Sequence, residues 1–132
     1  MCRPDRRHLG AAVAAALLAC AAVFAAWPAS AEDAPRSYVA APDVYKVVAE
    51  SGNTRVILAT WPPGKRDPWH SHPAGTGVYI LADCESRIHT PDGKFVDNSL
   101  KAGGAVVNAA IPSHSFENRG STECRVVLVE RE

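Results

Sequence analysis

The chain has no excess charge of either sign: 14 Lys and Arg balance 14 Asp and Glu. Three of the basic groups (Arg3, Arg6, Arg7) and one acid (Asp5) fall within the first 31 residues, so the remainder carries 11 basic and 13 acidic side chains. That leaves no basic footprint for nucleic acid and no polybasic patch for anionic lipid. Beyond residue 31 there is no helical period of useful length, no repeat and no low-complexity tract. A phosphate-cradling Gly-rich loop, a nucleophile elbow and a Ser/His/Asp arrangement are also missing, which argues against hydrolysis by a triad.

Residues 1–31 read as a secretory signal peptide. Arg3, Arg6 and Arg7 precede an apolar run from Leu9 to Trp27, and Ala29-Ser30-Ala31 supplies a small-residue cleavage end. Cleavage after Ala31 places the product in the periplasm or outside the cell, with no membrane attachment. A competing reading is lipid anchoring through Cys20, in Leu17-Leu18-Ala19-Cys20, but Ala21 to Trp27 stays apolar where such a segment normally turns polar. Arg6-Arg7 faintly matches a twin-arginine signal. Loss of the leader removes Cys2 and Cys20 and leaves Cys84 and Cys124. In an oxidising compartment that pair allows a disulfide, while two small buried hydrophobes that never meet are the alternative.

The rest of the chain, about a hundred residues, suits one domain with one modest core. Glu32 to Arg36 is polar, contains Pro35, and is expected to be loose; residues 32–43 are assigned to an N-terminal arm and 44–132 to the domain. Short β-rich runs follow at Val44–Val48, Arg55–Trp61, Val78–Leu81, Ser86–Thr90, Phe95–Val96, Ala105–Val107 and Cys124–Val129. Pro62-Pro63-Gly64, Pro91-Asp92-Gly93-Lys94 and Lys101-Ala102-Gly103-Gly104 separate them. The pattern predicts an all-β sandwich or barrel.

Of the four histidines beyond the leader, three lie on one frame. Gly64 is followed by His70-Ser71-His72, and Gly103 precedes His114 and then Asn118. Histidines separated by one residue on a strand share a face, and a third on a later strand can close a metal triad if the sheet curls. The competing reading is a set of polar barrel-mouth residues without a metal. Phe116 has the parity of His114 and is expected on the pocket wall. Asn118 suits a turn or a hydrogen bond behind the ligands. His89 should face outward, because Ile88 is its inward neighbour. Trp61 and Trp69 are expected to pack.

Gly64-x5-His70-x-His72 resembles the first motif of the cupin superfamily, and Gly103, His114 and Asn118 keep the spacing of the second, although Ala109 and Ile111 stand where Pro and Gly are usual. His-Ser-His-Pro and Pro-Ser-His-Ser-x-x-Asn are similar to small single-domain cupins linked to β-alanine degradation. The resemblance implies an all-β double-stranded β-helix barrel with a metal in its mouth, from about Val44 to Val129. It also implies a glutamate after three or four intervening residues beyond His72, where this chain has Thr76 and Gly77. Glu117 is out of phase with His114 and should point away. The expected set is therefore His70, His72 and His114 with Thr76 beside them and no negative charge. Three imidazoles suit Fe, Zn, Ni, Cu or Mn rather than Mg or Ca. The set is similar to that of thiol dioxygenase cupins, so a metal-dependent oxidoreductase on a small molecule is one expectation. A non-catalytic metabolite- or metal-binding module and an empty structural barrel are the others. Cupins often pair through their sheets, which implies a homodimer.

Overall fold

The structure is a computed structural model that describes residues 32–132. The leader, with its cleavage site, Cys2 and Cys20, lies outside the described residues. Nine strands follow one four-residue helix: α1 (Ser37–Ala40), β1 (Tyr45–Ser51), β2 (Thr54–Trp61), β3 (His70–His72), β4 (Thr76–Ile80), β5 (Cys84–His89), β6 (Phe95–Leu100), β7 (Ala105–Asn108), β8 (Ile111–Asn118) and β9 (Cys124–Arg131). They form a five-stranded sheet in the order β1-β2-β9-β4-β7 and a four-stranded sheet in the order β3-β8-β5-β6. All the strand pairs are antiparallel. The result is the expected all-β jelly roll.

Period-two patterning decides which side chains face the core. In β9, Cys124, Val126, Leu128 and Glu130 are buried, while Arg125, Val129 and Arg131 alternate outward. Ile57, Ala59 and Trp61 do the same in β2. Between β5 and β6 the chain turns at Pro91–Lys94, where Gly93 takes φ 81°, a conformation that a side chain would oppose.

The two remaining cysteines are disulfide-bonded, with Cα atoms 5.1 Å apart. Cys84 opens β5 of one sheet and Cys124 opens β9 of the other, so the bond ties the two layers together.

The expectation of a loose arm is corrected. Ala34 donates its N–H to the Pro112 carbonyl (2.9 Å), and the Ser71 N–H donates to the Pro35 carbonyl (2.9 Å). Arg36 bridges to Ser71, and Ala41 enters the core. The physical reason is that β3 is an edge strand with open backbone groups, and the arm satisfies them.

Candidate metal centre

β3 is only three residues long, yet His70, Ser71 and His72 are all buried. The histidines face the barrel interior, and the arm covers the opposite side, where Arg36 donates to the Ser71 hydroxyl (3.4 Å). β8 then brings the third imidazole across: His114 pairs directly with His70. Two residues further along β3, His72 pairs with Ile111 rather than with Pro112. Proline has no N–H to give a ladder, and an irregularity at that point is its usual accommodation.

One ligand atom from each of His70, His72 and His114 lies within 4.8 Å of the other two. Bound ligand nitrogens would close to about 3–3.5 Å around an ion at ~2.0–2.2 Å. The ring centroids stand 4.9, 4.4 and 5.1 Å apart for the three pairs. Three buried histidines close together can hold a metal ion.

Two of the three imidazoles have outer nitrogens with partners that fix the protons. His70 Nδ1 lies 2.9 Å from the Pro68 carbonyl, which can only accept, so Nδ1 carries the hydrogen. His72 Nδ1 lies 2.5 Å from Glu130 Oε1, a carboxylate–histidine arrangement of the kind that orients metal-ligating imidazoles. His114 Nε2 is buried without any partner. Burial, followed by the proximity of His70 and His72, pushes the His114 pKa down to about 3. Burial also lowers that of His70, partly opposed by the charge of Asp67. Neutral imidazole is the form a metal requires.

Below these rings lies a carboxylate that the sequence reading missed. Asp67 is buried and accepts from the Tyr45 hydroxyl (2.9 Å), Trp61 Nε1 (2.8 Å) and the Phe116 N–H (2.7 Å). Its Oδ1 is also 3.5 Å from His70 Nδ1. Burial and the charges of Asp67 and Glu130 hold the Tyr45 phenol well above its ordinary pKa, so it is protonated in the metal-free protein. The cluster of candidate ligands is three imidazoles, and Glu130 and Asp67 stand immediately behind His72 and His70. Glu130 could have been found by carrying the alternation of β9 two residues beyond Leu128. Asp67 sits in an irregular loop and leaves no periodic signal.

The remaining predicted residues divide. Phe116 is buried against Trp61 (ring centroids 4.3 Å apart) and forms the wall of a cavity of about 250 Å³ that also reaches Tyr45, His72 and His114. Thr76 is buried, but its hydroxyl donates to the Pro73 carbonyl (2.8 Å) and it lines none of that cavity. Asn118 is likewise spent elsewhere. Its Nδ2 donates to the Trp61 and Thr122 carbonyls and its Oδ1 accepts the Gly120 N–H, an organised turn rather than a pocket wall. His89 faces away, with Nε2 2.7 Å from Glu117 Oε2. Hydrogen bonds from His89 and Arg119 hold the Glu117 carboxyl below its usual range. Trp69 is exposed beneath the Arg66 guanidinium.

The His114 shift has a measurable consequence. Its folded-state pKa lies below the ordinary value of 6.5, so between about 3 and 6.5 the unfolded chain binds a proton that the folded one refuses. Acid therefore favours unfolding in this window, and metal-free stability should rise with pH across it, by on the order of 2–4 kcal/mol from this group. Urea unfolding of chelated protein at several pH values, compared with His114→Leu, checks this. An acid limb equally steep in the variant would exclude His114 as its source.

Nine strands in two facing sheets around a histidine cluster define a double-stranded β-helix barrel. The cupin domain family model matches residues 57–130, and the chain belongs to the cupin superfamily. Among solved structures it is similar to a cupin domain from Bordetella pertussis Tohama I (24% identity, TM-score 0.61, covering 67% of this chain and 92% of that one). It is also similar to a conserved protein with a double-stranded β-helix domain from Klebsiella pneumoniae (22%, 0.52, 80% and 82%). A third likeness is to an RmlC-like cupin from Methanocaldococcus jannaschii (16%, 0.54, 67% and 78%). At these identities the likeness speaks for the fold. No curated protein matches the chain.

Proposed function

We propose that this cupin is exported, cut after Ala31, and holds one divalent transition metal on His70, His72 and His114 beside a small-molecule cavity. The observation that carries the reading is the unpartnered, buried Nε2 of His114. A buried polar nitrogen left alone costs stability, and here it belongs to a cluster whose other two members have their outer nitrogens tied to Pro68 and Glu130. Export is supported by the leader's layout and by the Cys84–Cys124 bond, which suits an oxidising compartment.

When bound, the ion would supply a Lewis-acid centre, redox-active if it is iron, copper or manganese. The protein's own part is to shape and dry the space next to it. Trp61, Phe116 and Leu100 give the cavity apolar walls, and Asn98 and Asn108 offer amide donors and acceptors for orientation. A volume of about 250 Å³ admits only a small molecule. The likeness of three imidazoles to thiol dioxygenase cupins makes oxidation of such a molecule by dioxygen the favoured reaction class.

One observation favours the alternative of a non-catalytic metabolite- or metal-binding module. Apart from Tyr45, His72 and His114, none of the described side chains on the cavity wall carries an acidic or basic group, so no separate acid or base is at hand. Protein purified from a periplasmic extract without chelator should begin at Glu32 and contain about one equivalent of Fe, Zn, Ni, Cu or Mn. Metal-dependent oxygen consumption with small thiols and amino acids then separates enzyme from binding module. An intact Met1 or a lipidated Cys20 would remove the export reading, and metal-free protein that takes up none on reconstitution would remove the metal reading.

A further inference from the structure

We propose that the phenol oxygen of Tyr45 is the oxygen ligand of the metal centre, with Asp67 as the acceptor of its proton. This rests on the reading of His70, His72 and His114 as metal ligands.

The geometry comes first. Tyr45 is buried at the start of β1, on the wall of the same cavity as His72 and His114. Its ring centroid is 5.0 Å from that of His70 and 6.1 Å from that of His72. Its hydroxyl oxygen lies 3.0 Å from His70 Nε2, the nitrogen left free by the Nδ1 bond to Pro68. Donor atoms each about 2.0–2.2 Å from one ion stand roughly 3 Å from their neighbours at right angles. The Tyr45 oxygen is thus placed as an adjacent ligand of His70 would be.

A count of protons points the same way. Tyr45 has one hydrogen and two acceptors facing it, Asp67 Oδ2 at 2.9 Å and His70 Nε2 at 3.0 Å. If the hydrogen goes to Asp67, two lone-pair atoms, the phenol oxygen and Nε2, face each other with no proton between them. A cation that takes both lone pairs resolves this. Asp67 is a well-held acceptor, because Trp61 and the Phe116 backbone fix its carboxylate in place.

Other oxygens are placed differently. Thr76 gives its hydroxyl to Pro73, and Glu130 meets His72 through Oε1 on the outer nitrogen, while Glu130 Oε2 is buried without a hydrogen-bond partner. Among the described residues, Tyr45 is the one whose side-chain oxygen contacts a free imidazole nitrogen of the cluster. On coordination the phenol O–H bond breaks, its proton passes to Asp67 Oδ2, and its electron pair becomes the oxygen–metal bond. No electron is transferred between redox partners.

The test loads the chelated protein with one equivalent of Cu(II). Wild type should show a visible phenolate-to-copper charge-transfer band and, on excitation into it, resonance-enhanced tyrosinate ring modes. Tyr45→Phe should take up the same one equivalent, as counted by the integrated electron paramagnetic resonance signal, with complete loss of band and ring modes. A wild-type copper protein without tyrosinate modes overturns the proposal, even if the variant does not fold. A variant that retains the wild-type spectrum overturns it as well. If wild type takes up no stoichiometric copper, the three-histidine reading has failed and this one falls with it.

Discussion

Removing one imidazole of the cluster is expected to abolish stoichiometric transition-metal binding. His114→Ala is the cleanest variant, because His114 Nε2 has no hydrogen-bond partner for the mutation to orphan. His72→Ala should lose the metal equally, but it also strips Glu130 of its one partner and leaves that carboxylate buried and alone. An uncompensated buried charge costs about 3–5 kcal/mol, so circular dichroism must first show that this variant is folded. Glu130→Gln should keep the three ligands and weaken metal binding by roughly 10–100-fold, the usual effect of losing an orienting carboxylate. His89→Ala should bind as wild type does, since His89 is engaged with Glu117 away from the cluster. The measurement is metal content after dialysis, with affinity from competition against a chelator of known strength. Full retention in His114→Ala would exclude the triad.

The second large effect concerns the disulfide. Cys84 and Cys124 close a loop with a sequence separation of 40 residues. Loop-closure entropy for that length amounts to roughly 3–4 kcal/mol at 25 °C. For a domain of about a hundred residues, each kcal/mol moves Tm by ~4–8 °C, so a double Cys84→Ala, Cys124→Ala variant should melt about 12–30 °C lower. The midpoint should fall more than the denaturant slope changes, unless the bond also compacts the unfolded chain. The Cys124 side chain is fully buried and the Cys84 side chain nearly so, which predicts slow reduction by dithiothreitol in the folded protein. A Tm shift of only a few degrees would show that the sheets hold together without the bond.

Much of the fold was legible because β patterning is local. The runs from Arg55 to Trp61 and from Cys124 to Val129 are rich in β-branched and other apolar residues, and Gly and Pro mark the turns beside them. Stopping the last strand at Val129 was the informative error. Glu130 reads as a charged terminus, yet the alternation continues and buries it against His72. A charge pattern invites solvent exposure, whereas the backbone period is indifferent to it. The arm misled in a similar way: Pro35 and polar neighbours read as loose, but an open strand edge can hold almost any backbone that reaches it.

The sequence by itself determined the strand periods, the shared face of His70 and His72, the outward course of His89, and the availability of two cysteines. These follow from the alternation of a strand and from composition, both of which are local. The tertiary structure alone decided the rest. It set His114 opposite His70, paired Cys84 with Cys124 across the two sheets, and placed Tyr45, Asp67 and Glu130 around the imidazoles. Those contacts join residues between 22 and 58 positions apart. They depend on sheet order and register, which hydrogen bonding between distant strands establishes and no local period encodes.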